Sequence, residues 1–206
     1  MQYPTISEYV KTIQDASDNL DMSTKATAEE LNEAIIDEFG VKYSKDGRKL
    51  LKAPPNLDGT YSIKEGVRII CDKAFEGCTS LSSLVIPESV VNLNGNPFVK
   101  WEGKLECLSP YFIYANKVLF DKDKSKIIAF RNKNTTSYVI PDSVTRIGES
   151  AFRHCSSLNS VVIPDGVTSI GEYAFRHCSS LSSLVIPDSV TSIECYAFSG
   201  CESLSS

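Results

Sequence analysis

From Ile63 onward the chain repeats itself every 23 residues, and a repeat of that length constrains the fold more than any single residue does. The stretches starting at Ile140, Ile163 and Ile186 read IPDSVTRIGESAFRHCSSLNSVV, IPDGVTSIGEYAFRHCSSLSSLV and IPDSVTSIECYAFSGCESLSS, and IKEGVRIICDKAFEGCTSLSSLV begins at Ile63. A unit this short cannot enclose a core of its own, so it buries its apolar face against the units before and after it. The implied architecture is a solenoid.

The inward face of each coil follows from the spacing. Leu81, Leu84 and Ile86 give L-x-x-L-x-I, which returns as Leu158, Val161, Ile163 and as Leu181, Leu184, Ile186. The alternation at its end predicts a short strand with one face buried, closed by Pro87, Pro164 or Pro187 because proline cannot donate a ladder hydrogen bond. A second apolar set, Val167, Ile170, Ala174, Phe175 and Cys178, suits a turn of helix or 3₁₀ structure across the back. Successive strands should then stack about 4.8 Å apart in one parallel sheet on one face. The expectation is an α/β repeat.

The irregular middle follows the same arithmetic. Ile86 to Ser109 is again 23 residues, placing Phe98, Cys107 and Pro110 at the positions of Phe75, Leu84 and Pro87, with Pro97 in the alanine column and Trp101 in the cysteine column. Ser109 to Ile140 is 31 residues. The extra length lies in VLFDKDKSKIIAF (118–130), two apolar runs flanking a charged turn, as a hairpin requires. A matching hairpin, VKYSKDGRKLLKA, occupies 41–53, with Asp46-Gly47 as its turn signal. A shift of 77 residues carries Val41 to Val118, Tyr43 to Phe120, Tyr61 to Tyr138, Phe75 to Phe152 and Cys78 to Cys155. A larger unit, one hairpin coil and two plain coils, is thus used twice and relates 41–93 to 118–170.

The recurring IP-x-S-V-T-S-I-G-x-x-A-F-x-x-C-x-S-L pattern over 41–206 resembles the BspA-like leucine-rich repeat family of bacteria. The resemblance implies a right-handed leucine-rich repeat solenoid acting in surface adhesion or protein recognition, with no catalytic residues to carry over. Cys71 and Glu194 depart from the pattern, standing where glycine follows isoleucine.

Residues 1–40 lie outside the repeat. Thr5-Ile6-Ser7-Glu8 and Thr27-Ala28-Glu29-Glu30 both fit the S/T-x-x-E box that satisfies open amides at a helix start. Ile6, Tyr9, Val10, Ile13 and Leu20 follow the first at helical spacing, and Leu31, Ile35 and Phe39 follow the second. Two amphipathic helices covering the first coil, an N-terminal helical cap, are expected. No such cover follows the last coil, so Ile193, Phe198 and Leu204 are expected to be partly exposed and to offer a self-association surface.

A chain of 206 residues with 42% hydrophobic residues suffices for one elongated domain. Its net charge of −5 argues against general nucleic-acid binding, and no apolar run approaches the length of a membrane span. The opening MQYPTISEYVKTIQDASDNL lacks the basic-then-apolar order of a signal peptide. The compartment stays open, the residues pointing to the cytoplasm and the resemblance to the cell surface.

Cys78, Cys155, Cys178 and Cys201 occupy one column, three residues after Phe75, Phe152, Phe175 and Phe198. Cysteine there reads as a small buried hydrophobe, and parallel Cβ vectors suit a disulfide poorly. Arg153-His154-Cys155 and Arg176-His177-Cys178 bring two His-Cys pairs into adjacent coils, the ligand types zinc takes. The histidines, however, align with Gly77 and Gly200 in a surface turn while the cysteines face inward, so no metal or other cofactor is expected. Asp121-x-Asp123-x-Ser125 begins like a calcium loop, but Lys126 and Asn132 occupy the glycine and glutamate positions. No phosphate loop, nucleophile elbow or paired catalytic carboxylates are present, and an enzyme is not expected.

Two surfaces remain for recognition. Ser83 and Val85, Ser137 and Val139, Ser160 and Val162, and Ser183 and Val185 point away from the core and form a serine stripe beside a valine stripe. Such a surface suits a protein or extended peptide. The alternative is a carbohydrate stacked on Trp101 and Tyr111, near Phe112, Tyr114 and the lysines at 100, 104, 117, 122, 124 and 126.

Overall fold

The computed structural model describes residues 22–204. The chain winds through a short helix α1 (Ala28–Asn32) and strands β1 (Ile35–Ile36), β2 (Lys42–Tyr43), β3 (Lys49–Lys52), β4 (Gly59–Ser62), β5 (Ile69–Ile70), β6 (Leu81–Ile86) and β7 (Lys104–Cys107). It continues through β8 (Phe112–Ala115), β9 (Val118–Asp121), β10 (Lys126–Phe130), β11 (Ser137–Val139), β12 (Arg146–Ile147), β13 (Ser160–Val162), β14 (Ser169–Ile170), β15 (Ser183–Val185) and β16 (Ser192–Ile193). The result is a β-solenoid. The apolar columns fill its interior, with Phe75, Phe152 and Phe175 fully buried.

Stacked rings run along the axis. Centroids lie 4.8 Å apart for Phe130–Phe152, 4.8 Å for Phe152–Phe175 and 5.4 Å for Phe175–Phe198. Each such pair adds about 0.5–1.5 kcal/mol beyond its area burial. Six of the seven cysteines are described as free thiols. Cys78, Cys155 and Cys178 are buried, Cys107 and Cys201 half-buried and Cys195 exposed. Cys178 and Cys201 donate to the carbonyls of Phe152 and Phe175, each at 3.1 Å, so the column also ties one coil to the next. Burial pushes the Cys78 thiol above its ordinary value.

Several expectations need correction. The back of the coil is not helical: α1 is the only α-helix among the described residues, and the back carries turns and two-residue strands. Parallel pairs there join β3 to β5 and β10, β12, β14 and β16 in series. The second ladder and the turns around it occupy the back of each coil, so an α/β repeat becomes a nearly all-β one. The N-terminal helical cap is not supported by the described residues. The Thr27 box forms, Glu30 N–H donating to Thr27 Oγ1 at 3.1 Å and Thr27 N–H to Glu30 Oε2 at 2.8 Å. Yet the helix stops after five residues, and Ile35 enters β1, paired antiparallel with β2. Glu30 reaches the buried Lys49 at 2.9 Å, tying α1 to the hairpin. The Thr5 box lies outside the described residues.

Both hairpins form, β2 with β3 and β9 with β10, each antiparallel. Each gains an outer strand that the sequence reading lacks, β1 and β8. The β8–β9 turn places Asn116 and Lys117 at φ of 50° and 61°, the left-handed pair that a two-residue hairpin turn needs.

The strand face is two sheets rather than one. β4, β6 and β7 form the first parallel sheet and β11, β13 and β15 the second. The 31-residue hairpin coil comes between β7 and β11 and breaks the ladder. The degenerate coil is also shorter than its spacing suggests. Leu84 pairs with Leu105, and Cys107 lies opposite Ile86 rather than Leu84. Where Cys78 precedes Leu84 by six residues, Trp101 precedes Leu105 by four. The indole of Trp101 fills the room of the missing leucine, 1% exposed, its Nε1–H donating to Leu81 O at 2.7 Å. Gly103 is required beside it, because a Cβ there would lie 2.5 Å from Leu81 O.

Candidate recognition surface

The β11–β13–β15 sheet sets equivalent residues side by side. Ser137, Ser160 and Ser183 are in register, as are Val139, Val162 and Val185. Tyr138, Val161 and Leu184 alternate inward between them. The valines are 67%, 56% and 75% exposed. For a β-branched residue on a sheet whose other face already holds the core, this is an apolar strip with nothing covering it among the described residues.

Ser83 and Val85 do not join that strip. They lie on β6 in the other sheet, where Ser83 stands between Thr60 and Lys104, and Val85 between Ser62 and Glu106. Val85 is half-buried and has no valine beside it. The four Ser/Val pairs therefore separate into three and one, because the hairpin coil interrupts the stacking that would have aligned them.

The aromatic alternative does not assemble. Trp101 is a core residue, and its ring packs at 5.5 Å on Phe98 rather than facing solvent. Tyr111 is 44% exposed, but it lines a separate depression with Asn92, Asp123 and Arg146. No stacking platform unites the two, so Trp101 and Tyr111 do not form one carbohydrate site. The short coil that demands a large core side chain is the reason.

His154 and His177 stack at 4.9 Å. Their backbones share a left-handed conformation, φ 61° and 60°, on the turn where Gly77 and Gly200 sit in other coils. Burial pushes His154 down to about 4, with Lys100, Arg153, His177 and Lys133 adding repulsion. Among the described residues no cluster of His, Cys, Asp and Glu suits a metal ion. Asp121 is committed to its own turn, accepting from the amides of Ser125 and Lys126 at 2.7 and 2.9 Å and from the Ser125 hydroxyl at 2.6 Å.

At the far end of the described solenoid Ile193 is 48% exposed, with Phe198 and Leu204 half-buried. No helix among the described residues is long and apolar enough to cross a membrane.

Arg131 is a residue that sequence reasoning does not single out. It follows Phe130 as Arg153 follows Phe152, and that shared column is its only signal. Here its guanidinium packs 4.2 Å over the Trp101 ring.

The BspA type leucine rich repeat region matches residues 58–109 and 126–206 in six copies. The chain belongs to that family. Its fold is shared with solved bacterial proteins. The pneumococcal vaccine antigen PcpA aligns at 21% identity and TM-score 0.54 over 66% of this chain and 40% of its own. A leucine rich cell surface protein from Faecalibacterium prausnitzii A2-165 aligns at 24% identity and TM-score 0.50 over 72% of this chain and 52% of its own. The chain thus spans about half or less of those structures. No curated protein is a significant match. The repeat family is generally non-catalytic and consistent with binding and recognition.

Proposed function

We propose that the chain is a non-enzymatic recognition module that binds a protein or extended peptide through the strand-lined face, with Ser137, Val139, Ser160, Val162, Ser183 and Val185 as the contact set. The carrying observation is the strip of Val139, Val162 and Val185 at 67%, 56% and 75% exposure, in register on a rigid sheet. Exposed apolar patches of this kind mark interaction sites, and the backbone beneath is already ordered, so little conformational entropy is lost on binding. The serine column beside it supplies hydroxyls that would orient a polar partner group. Ser83 and Val85 stand apart and serve at most a second contact. Likeness to a protein described as a cell surface protein agrees with a role in adhesion. We read 41–206 as one solenoid domain and the 77-residue spacing as its internal duplication.

The test is a peptide-display selection against the full chain. Selected peptides should lose binding by about 100-fold or more to a Val139→Glu, Val162→Glu, Val185→Glu variant, with the circular dichroism spectrum unchanged. Selected peptides that bind the variant as tightly as the original would sink the proposal.

A further inference from the structure

Beside β7, between it and β8, the β8–β9 turn and the segment after β10, a cleft of about 330 Å³ opens, lined by Glu102, Lys104, Tyr114, Lys117, Arg131 and Lys133. Four cations there face one carboxylate, on a chain whose net charge is −5. The imbalance is local.

Arg131 makes the cleft a built site rather than a group of surface lysines. It is 7% exposed. Its Nη1 donates to Tyr114 Oη at 3.0 Å and its Nη2 to Gly103 O at 2.6 Å, while one face is stacked on Trp101. Among the described residues its Nε–H has no acceptor, and no carboxylate lies within ion-pair distance. A buried guanidinium without a counter-charge is unfavourable. Glu102 is exposed and too far to pair. Lys104 and Lys117 are exposed cations without a carboxylate partner among the described residues, and Lys133 donates to Arg153 O at 2.9 Å. The arrangement supplies a fixed positive field in a partly dry cleft, which is what an incoming carboxylate lacks in water.

The surroundings select the ligand. β7, whose Lys104 and Leu105 line the cleft, is an edge strand of its sheet, the kind of edge an extended chain can pair with. Its volume exceeds that of an inorganic oxyanion. A polynucleotide would need a long basic stripe, which an acidic solenoid does not provide.

We propose that the cleft beside β7 binds an acidic peptide segment, seating a side-chain carboxylate among Lys104, Lys117 and Lys133 beside the Arg131 guanidinium. The inference rests on the strand-face reading for the class of partner, but the site stands on its own geometry.

Trp101 is the only tryptophan, and the guanidinium lies against its ring, so its emission reports on the cleft directly. Hexaglutamate titrated into the full chain at fixed ionic strength should give a saturable change in that emission. Affinity should fall about tenfold or more in a Lys104→Gln, Lys117→Gln variant, whose altered side chains are outside the core. Arg131→Gln should lose the response as well; the lysine variant decides the matter if that protein is unstable. A Val162→Ser, Val185→Ser variant should respond as the original does, so failure of the strand-face strip and failure of the cleft are distinguishable. The proposal is overturned by no saturable response, by an equal response in the lysine variant, or by inorganic sulfate matching the peptide at equal concentration.

Discussion

The two halves of the solenoid share a plan and differ on the face that meets solvent. Each has a three-stranded antiparallel hairpin element, β1–β2–β3 or β8–β9–β10, and a three-stranded parallel sheet, β4–β6–β7 or β11–β13–β15. The 77-residue spacing places Ile35 opposite Phe112, Val85 opposite Val162 and Gly77 opposite His154. In the first sheet the outward column reads Ser62, Val85, Glu106; in the second it reads Val139, Val162, Val185. The first sheet forms without a valine strip, so the strip in the second is not demanded by the fold. Strand propensity alone would favour β-branched residues in both. The proposed partner surface rests on that difference.

The interiors differ too. In the first half the Tyr61 hydroxyl donates to Asp37 Oδ2 at 2.6 Å and also contacts the Tyr43 hydroxyl. Burial pushes Tyr43 up to about 12 and raises Tyr61 as well. In the second half Phe120 and Tyr138 hold these positions, and the stack from Phe130 to Phe198 continues without interruption. The second half relies on dispersion between rings, the first on a buried polar cluster.

The strongest way to break the comparison is Phe152→Ala. Phe152 stacks on both Phe130 and Phe175 and touches Tyr138, and its loss should cost about 3–5 kcal/mol. Urea unfolding should show that cost, with Phe75→Ala costing less because its nearest rings lie at 6.2 and 6.4 Å. Equal costs would mean that the two cores are equivalent after all.

Gly103→Ala addresses the joint between the halves. Its Cβ would approach Leu81 O to 2.5 Å and Ser82 O to 2.7 Å, backbone atoms that cannot swing aside, so about 1–3 kcal/mol of destabilisation is expected in the same measurement. A loss under about 0.5 kcal/mol would show that the degenerate coil is loose rather than tightly filled by Trp101.

How much of this was legible beforehand follows from what repeats. Period, inward columns, cysteine column and both hairpins are copied positions, so each was visible several times over. The unique features were not. The two residues missing after Trp101 are a deletion inside an already irregular coil, and only the pairing of Leu84 with Leu105 exposes it. Ile35 and Phe39 fit helical spacing, but a five-residue helix cannot hold them when β2 offers an antiparallel partner to Ile35. The Ser/Val columns are legible in their spacing but not in their continuity, because spacing along a chain does not reveal where a ladder breaks. Arg131 carries no motif at all; its importance comes from meeting Trp101 across 30 residues of sequence.

The smallest effect sharpens the comparison at the turn where Gly77 has become His154. Folding holds His154 at about 4 against an ordinary 6.5. As pH falls from about 6.5 toward 4 the unfolded chain takes the proton first, so stability is lost across that window and levels off below it. Glu149 runs the other way, since burial, with Asp72 adding repulsion, raises its carboxyl; that contribution is common to any pair of chains differing only at His154. His154→Gly restores the residue that Gly77 shows to be sufficient and also relieves a left-handed φ of 61°. Thermal melts of the two proteins from pH 4 to 7 should diverge as pH falls, the variant losing less. Parallel curves would mean that His154 titrates normally and that the stack with His177 leaves its imidazole in water.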